Sequence, residues 1–93
     1  MIATFKDKDA EALHVRGKAA ARLAAFASVA KRKLSMLDAA AAVEDLRTPP
    51  GNRLEALGGK RAGQWSIRIN GQCRLCFEYA DGKAYNVEIV DYH

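Results

Sequence analysis

Three features of this 93-residue sequence predict an α+β fold, with two N-terminal helices packed on an antiparallel sheet. From Trp65 to Ile89 apolar residues recur at every second position, interrupted at Asn70-Gly71 and Asp81-Gly82, the pattern of a three-stranded meander. Leu23, Phe26, Ala30, Leu34, Leu37 and Ala41 recur at spacings of three and four and so share one helix face. Asp7, Asp9 and Glu11 open a shorter helical stretch with acids at the positive end of its dipole, and Gly17 closes it.

The elements follow in order. Ile2 to Phe5 is short and rich in strand formers, so a first strand is expected there. The first helix has Leu13 as its apolar anchor, with His14 beside it as a surface or partly packed residue. The second helix is expected from about Ala20 to Ala41, its apolar face on the sheet, with at least two cations of Lys31-Arg32-Lys33 exposed. Glu44-Asp45-Leu46 forms a last turn before Thr48-Pro49-Pro50-Gly51, which cannot continue a helix. Arg53 to Leu57 is expected as a short strand, and Gly58 to Gly63 as a flexible basic loop. That loop lacks the Gly-Lys-Ser/Thr ending of a phosphate-cradling P-loop, which argues against a nucleoside-triphosphate site.

Register sharpens the meander. A two-residue loop at Asn70-Gly71 would place Ile69 opposite Gln72 and Ile67 opposite Arg74, mixing apolar with polar on one face. A three-residue loop, Asn70 to Gln72, instead pairs Ile69 with Cys73, Ile67 with Leu75 and Trp65 with Phe77. Arg68 then falls opposite Arg74 on the other face, where like charges are mildly destabilising. A solvated face with Glu78 nearby offsets that repulsion, or an anionic ligand such as phosphate does. In the third strand Tyr85, Val87 and Ile89 are expected on one face and Asn86, Glu88 and Tyr92 on the other.

With 49% hydrophobic and 28% charged residues the chain has the composition of one globular domain over residues 1–93. No apolar run approaches the ~20 residues of a membrane span, and the N-terminus lacks a signal-peptide layout. A cytoplasmic protein with no membrane partner is expected. The net charge of +4 is uneven: residues 16–74 hold twelve basic and four acidic side chains, residues 75–93 one and four. A basic middle suits a polyanion or an acidic protein partner. Cys73 and Cys76 have C-x-x-C spacing, but positions i and i+3 of a strand point to opposite faces, so neither a metal nor a disulfide joins them.

The succession Arg53-Leu54-Glu55-Ala56-Leu57, Gly63-Gln64-Trp65-Ser66-Ile67-Arg68-Ile69-Asn70, Arg74-Leu75-Cys76-Phe77 and Val90-Asp91-Tyr92-His93 resembles the HigB toxins of the RelE/ParE superfamily across essentially the whole chain. The resemblance implies helices against one face of a curved, RelE-like sheet and a concave basic site on the other. It also implies a metal-free and cofactor-free endoribonuclease that cuts messenger RNA on the ribosome. Its partner would be a HigA-like helix-turn-helix antitoxin, through which the complex contacts operator DNA. By that resemblance Arg74 stabilises the phosphate, His93 transfers protons, and Asp91 and Tyr92 shape the site. Arg53 and Arg68 would hold RNA phosphates. A histidine near its ordinary pKa of about 6.5 and an arginine fork independently suit such chemistry.

Two departures stand out. Many HigB toxins have His-Pro-Leu-Lys where this chain has Glu55-Ala56-Leu57-Gly58, and a tryptophan where it has Cys73. Glu55 is then either a general base or a partner of Arg53 or Arg74, and Lys60 or Arg61 stands in for the absent lysine. The alternatives to a nuclease are a ParE-like toxin that binds gyrase and a weakened toxin kept for operon autoregulation.

Overall fold

A computed structural model describes residues 1–91. Its architecture is the expected one: α1 (Lys8–Arg16) and α2 (Ala27–Ala39) pack on a four-stranded antiparallel sheet of β1 (Glu55–Ala56), β2 (Gln64–Arg68), β3 (Cys73–Ala80) and β4 (Lys83–Asp91), in that spatial order. The core between the layers holds Leu13 from α1, Leu34 and Leu37 from α2, and Ile67, Leu75, Phe77, Val87 and Ile89 from the sheet. No helix among the described residues is long and apolar enough to cross a membrane.

Helix α1 begins and ends as its sequence predicts. The Asp7 carboxylate accepts from the N–H groups of Asp9 at 2.9 Å and Ala10 at 3.4 Å, the capping bonds that satisfy otherwise orphaned donors. Gly17 closes it at φ 67, with Gly17 N donating to Leu13 O and Lys18 N to Ala12 O. His14 is partly buried against Phe5, its Nε2 3.8 Å from Asp38 Oδ2.

Asp7 also accepts from Arg22 Nη2 at 2.5 Å and from Ile89 N at 3.0 Å, while Arg22 Nε reaches Asp9 at 2.8 Å. Burial alone would raise the Asp7 pKa, but Arg22 and the Ile89 N–H outweigh it and hold the carboxyl below its ordinary value of 3.8. A depressed carboxyl contributes stability that is full above the unfolded pKa and lost as pH falls through the folded one. Asp7→Ala is expected to cost about 1–2 kcal/mol near neutrality, with the deficit shrinking as pH is lowered below 3.8. Urea unfolding midpoints of both proteins across that range measure it.

The long helix is where expectation and structure part. Residues Ala21–Phe26 form a 3-10 turn, Phe26 leaves helical backbone at φ −132, and only then does α2 begin. Arg22 ties the first turn to Asp7, Asp9 and the Ile89 carbonyl, and this tertiary anchor overrides the helix propensity of the alanines. The helix stops before Ala41 because Asp45 Oδ2 captures the N–H groups of Ala41 and Ala42 at 2.9 and 3.2 Å. Leu23, Ala30, Leu34 and Leu37 are buried as the spacing predicts, whereas Ala41 is exposed. Lys31 and Arg32 are exposed, but Lys33 is buried.

The β2–β3 register is the three-residue-loop solution, with Trp65 opposite Phe77, Ile67 opposite Leu75 and Arg68 opposite Arg74. Ile69 N donates to Cys73 O at 2.9 Å. The loop needs no positive φ at Asn70-Gly71; Asn70 Oδ1 turns the chain by accepting from Gln72 N and Cys73 N, both at 2.8 Å. Asp81 and Gly82 do adopt φ 54 and 76, the mirror-image turn that joins β3 to β4.

Strand β4 departs from simple alternation. Asn86 sits at φ 53, and between the Cys76–Glu88 and Glu78–Tyr85 pairs its strand carries two residues opposite Phe77 alone. The bulge moves Tyr85 off the Val87–Ile89 face and puts Ala84 into the core instead. It also limits the expected N-terminal strand to two parallel bridges, Ile2 with Ala84 and Phe5 with Val87. Between them Asn86 N turns to the Thr4 hydroxyl at 2.8 Å. Strand β1 is shorter than expected because Arg53, at φ 46, is left-handed and cannot be extended.

Candidate functional site

On the face of the hairpin away from the helices, Arg68 and Arg74 lie directly opposite each other, as alternation from Trp65 requires. Arg53 joins them from the turn before β1. Together with Asn70, Gly71 and Gln72 the three arginines line a cleft of about 250 Å³. No acidic residue among the described ones lines it. A concave site lined by three arginines suits a phosphate, because a guanidinium offers a planar fork to oxygens carrying charge.

Arg74 is the most firmly held of the three. Its Nε donates to Ser66 Oγ at 2.8 Å and its Nη2 to the Arg53 carbonyl at 2.6 Å. Ser66 is fully buried, and the Arg74 side chain is only 12% exposed. Two of its five N–H donors are thus engaged within the protein, which fixes the plane of the guanidinium at the cleft wall. Glu55, exposed on β1, brings Oε1 to 3.9 Å from Arg74 Nη2. Lys33, on α2, responds to the same positive field: burial pushes its pKa down first, and the charges of Arg32 and Arg68 push it further.

The sequence-predicted residues divide. Arg53, Arg68 and Arg74 converge, with Glu55 at the rim beside Arg74. Arg61 is tied elsewhere: its Nη1 donates to Gln64 Oε1 at 3.0 Å and Glu88 Oε2 at 3.1 Å, so it spans β2 to β4 over β3. Lys60 is exposed on the Gly59–Arg61 turn and does not line the cleft. Asp91 pairs with Cys73 in the ladder, on the helix-facing side of the sheet. Tyr92 and His93 lie outside the described residues. Asn70, Gln72 and Ser66 contribute without having been singled out; Ser66 stands two residues from Arg68, and that same-face spacing was the available signal.

Cys73 and Cys76 are both buried, in no disulfide, and on opposite faces of β3, as expected. Burial pushes the Cys73 thiol pKa up, the Asp91 charge adds to this, and Arg22 opposes it, so the group is held as a thiol. Among the described residues no cluster of three or more His, Cys, Asp or Glu could hold a metal.

Comparison with known proteins places the fold and the chain together. The HigB-like toxin family, described as RelE-like toxins of the type II toxin–antitoxin system HigB, matches residues 3–93. Toxin HigB-1 of Vibrio cholerae serotype O1 is 58% identical over 55 residues, 59% of this chain but only 58% of that protein, so the match spans less than two thirds of that relative. Endoribonuclease HigB of Proteus vulgaris is 30% identical over 93 residues, the whole of both chains. A crystal structure of a YafQ mutant from E. coli has the same fold, with a TM-score of 0.63 over 98% of this chain and 93% of that one at 14% identity.

Proposed function

The chain belongs to the HigB-like toxins of type II toxin–antitoxin systems, and from that premise we propose that it is a metal-free endoribonuclease cutting messenger RNA on the ribosome. The observation that carries the reading is the immobilised Arg74 guanidinium in a cleft shared with Arg53 and Arg68, 3.9 Å from the Glu55 carboxylate.

The chemistry divides among these residues. Glu55 takes the proton from the RNA 2′-hydroxyl, whose oxygen attacks the adjacent phosphorus. Arg74 meets the charge that grows on the phosphorane oxygens, where a pre-oriented donor stabilises the transition state more than the ground state. The 5′-oxygen leaves with a proton from His93, and Tyr92 shapes the site; Asp91, paired with Cys73 on the helix-facing side of the sheet, anchors the end of β4 rather than touching RNA. Arg53 and Arg68 bind the flanking phosphates, and Lys60 and Arg61 add to the field that draws RNA in. The name of the Proteus vulgaris relative supports this activity. A HigA-like helix-turn-helix antitoxin that neutralises the toxin, and contact with operator DNA through it, complete the proposal. The site of action is the cytoplasm.

The test is induced expression of the chain in a bacterial host with mapping of new RNA 5′ ends, beside Glu55→Gln and a variant lacking His93. New ends inside translated reading frames are expected, reduced about 10²-fold by Glu55→Gln as for loss of a general base and lost with His93. Growth arrest with no new ends but accumulating DNA damage would overturn the nuclease in favour of a gyrase-binding toxin. No arrest at all would favour a toxin kept for autoregulation.

A further inference from the structure

Behind the cleft lies a buried polar pair that the proposed reaction does not use directly. Lys33, 7% exposed on α2, donates from Nζ to Asn52 Oδ1 at 2.5 Å. Asn52 is fully buried, and its Nδ2 donates to the carbonyls of Leu46 at 3.1 Å and Thr48 at 3.5 Å. The next residue, Arg53, stands in the left-handed region at φ 46, ψ 56, closed by its N–H on the Pro50 carbonyl at 3.1 Å. The Arg53 carbonyl in turn receives Arg74 Nη2. A continuous chain of contacts therefore runs from α2 to the guanidinium at the cleft.

A buried ammonium facing a neutral amide is a costly way to fill space, since an apolar side chain of similar volume needs no desolvation. What the lysine adds is direction. With a donor fixed on Oδ1, the Asn52 amide has one acceptable orientation, and its NH2 must face the Leu46 and Thr48 carbonyls. That locks the Pro50–Asn52 turn and with it the direction of the Arg53 carbonyl.

We propose that the Lys33–Asn52 pair is a positioning device that sets the Arg53 carbonyl and thereby the plane of the Arg74 guanidinium; its effect on catalysis rests on the role given to Arg74 above. Lys33→Met removes the donor while keeping a similar volume, and Asn52→Asp keeps the acceptor for Lys33 while removing the donors to Leu46 and Thr48. In both, the Arg74 Nε–H resonance of the folded, nitrogen-15-labelled protein should shift and exchange with solvent about 10-fold faster. RNA cleavage per folded molecule should fall about 10-fold. In an Arg74→Ala background Lys33→Met should change cleavage less than about 2-fold, since residues acting through one group are not additive.

An unmoved Arg74 resonance with full cleavage per folded molecule overturns the proposal, even if both variants lower stability, because the pair is then a structural pin. Equal losses in the wild-type and Arg74→Ala backgrounds overturn it as well. Full cleavage by Arg74→Ala alone strikes instead the role given to Arg74 and with it the catalytic half of the proposal. The resonance still decides whether the pair positions the guanidinium.

Discussion

Arg74→Ala is expected to reduce RNA cleavage by about 10²–10³-fold, the loss typical when one pre-organised donor to a developing oxyanion is removed. The magnitude follows from how the side chain is held. Its Nε and Nη2 are engaged by Ser66 and the Arg53 carbonyl, so no reorganisation is needed as charge builds on the substrate. Arg74→Lys keeps the charge but has neither the fork nor the Ser66–Arg53 seating, and should recover no more than about 10-fold. Folding should suffer little by comparison. The truncation strands the buried Ser66 hydroxyl, which costs about 1 kcal/mol. A urea midpoint taken beside the cleavage assay separates the two effects. Full cleavage by a folded Arg74→Ala protein would remove the central residue from the mechanism.

Phe77→Ala should produce the largest loss of stability, about 3–5 kcal/mol. Phe77 is fully buried and stands edge-on to Tyr79, with ring centroids 6.4 Å apart and planes at 71°. It also stands opposite the bulge in β4, where two residues face it. For a domain of this size such a loss is a large share of the total, and Tm should drop by about 15–25 °C. Phe77→Leu, which fills part of the space, should lose about 1–2 kcal/mol. A Tm change of only a few degrees for the alanine variant would mean that the core is not organised around this ring.

Sequence periodicity determined the parts of this protein that depend on which face a side chain takes. Alternation from Trp65, combined with the need for one apolar face, selected a three-residue loop and so put Arg68 opposite Arg74, as observed. Asp7 and Gly17 marked both ends of α1 because capping chemistry is local. The pairing of Arg68 with Arg74 followed from these local rules; Arg53 reaches the same cleft from a left-handed turn where a strand was expected.

The tertiary structure decided whatever depends on a partner distant in sequence. Helix α2 begins at Ala27 rather than near Ala20 because Arg22 is held by Asp7, Asp9 and Ile89. Tyr85 changes face because a bulge at Asn86 inserts one extra residue, an event that alternation cannot signal. Arg61 turns away from the cleft because Glu88 lies across the sheet, 27 residues later. Two cations of Lys31-Arg32-Lys33 are exposed as expected, but that Lys33 is the buried one depends on the folded chain bringing the Asn52 amide to meet it. Local rules specified the hairpin and its arginines; long-range hydrogen bonds and ion pairs decided how those arginines are held.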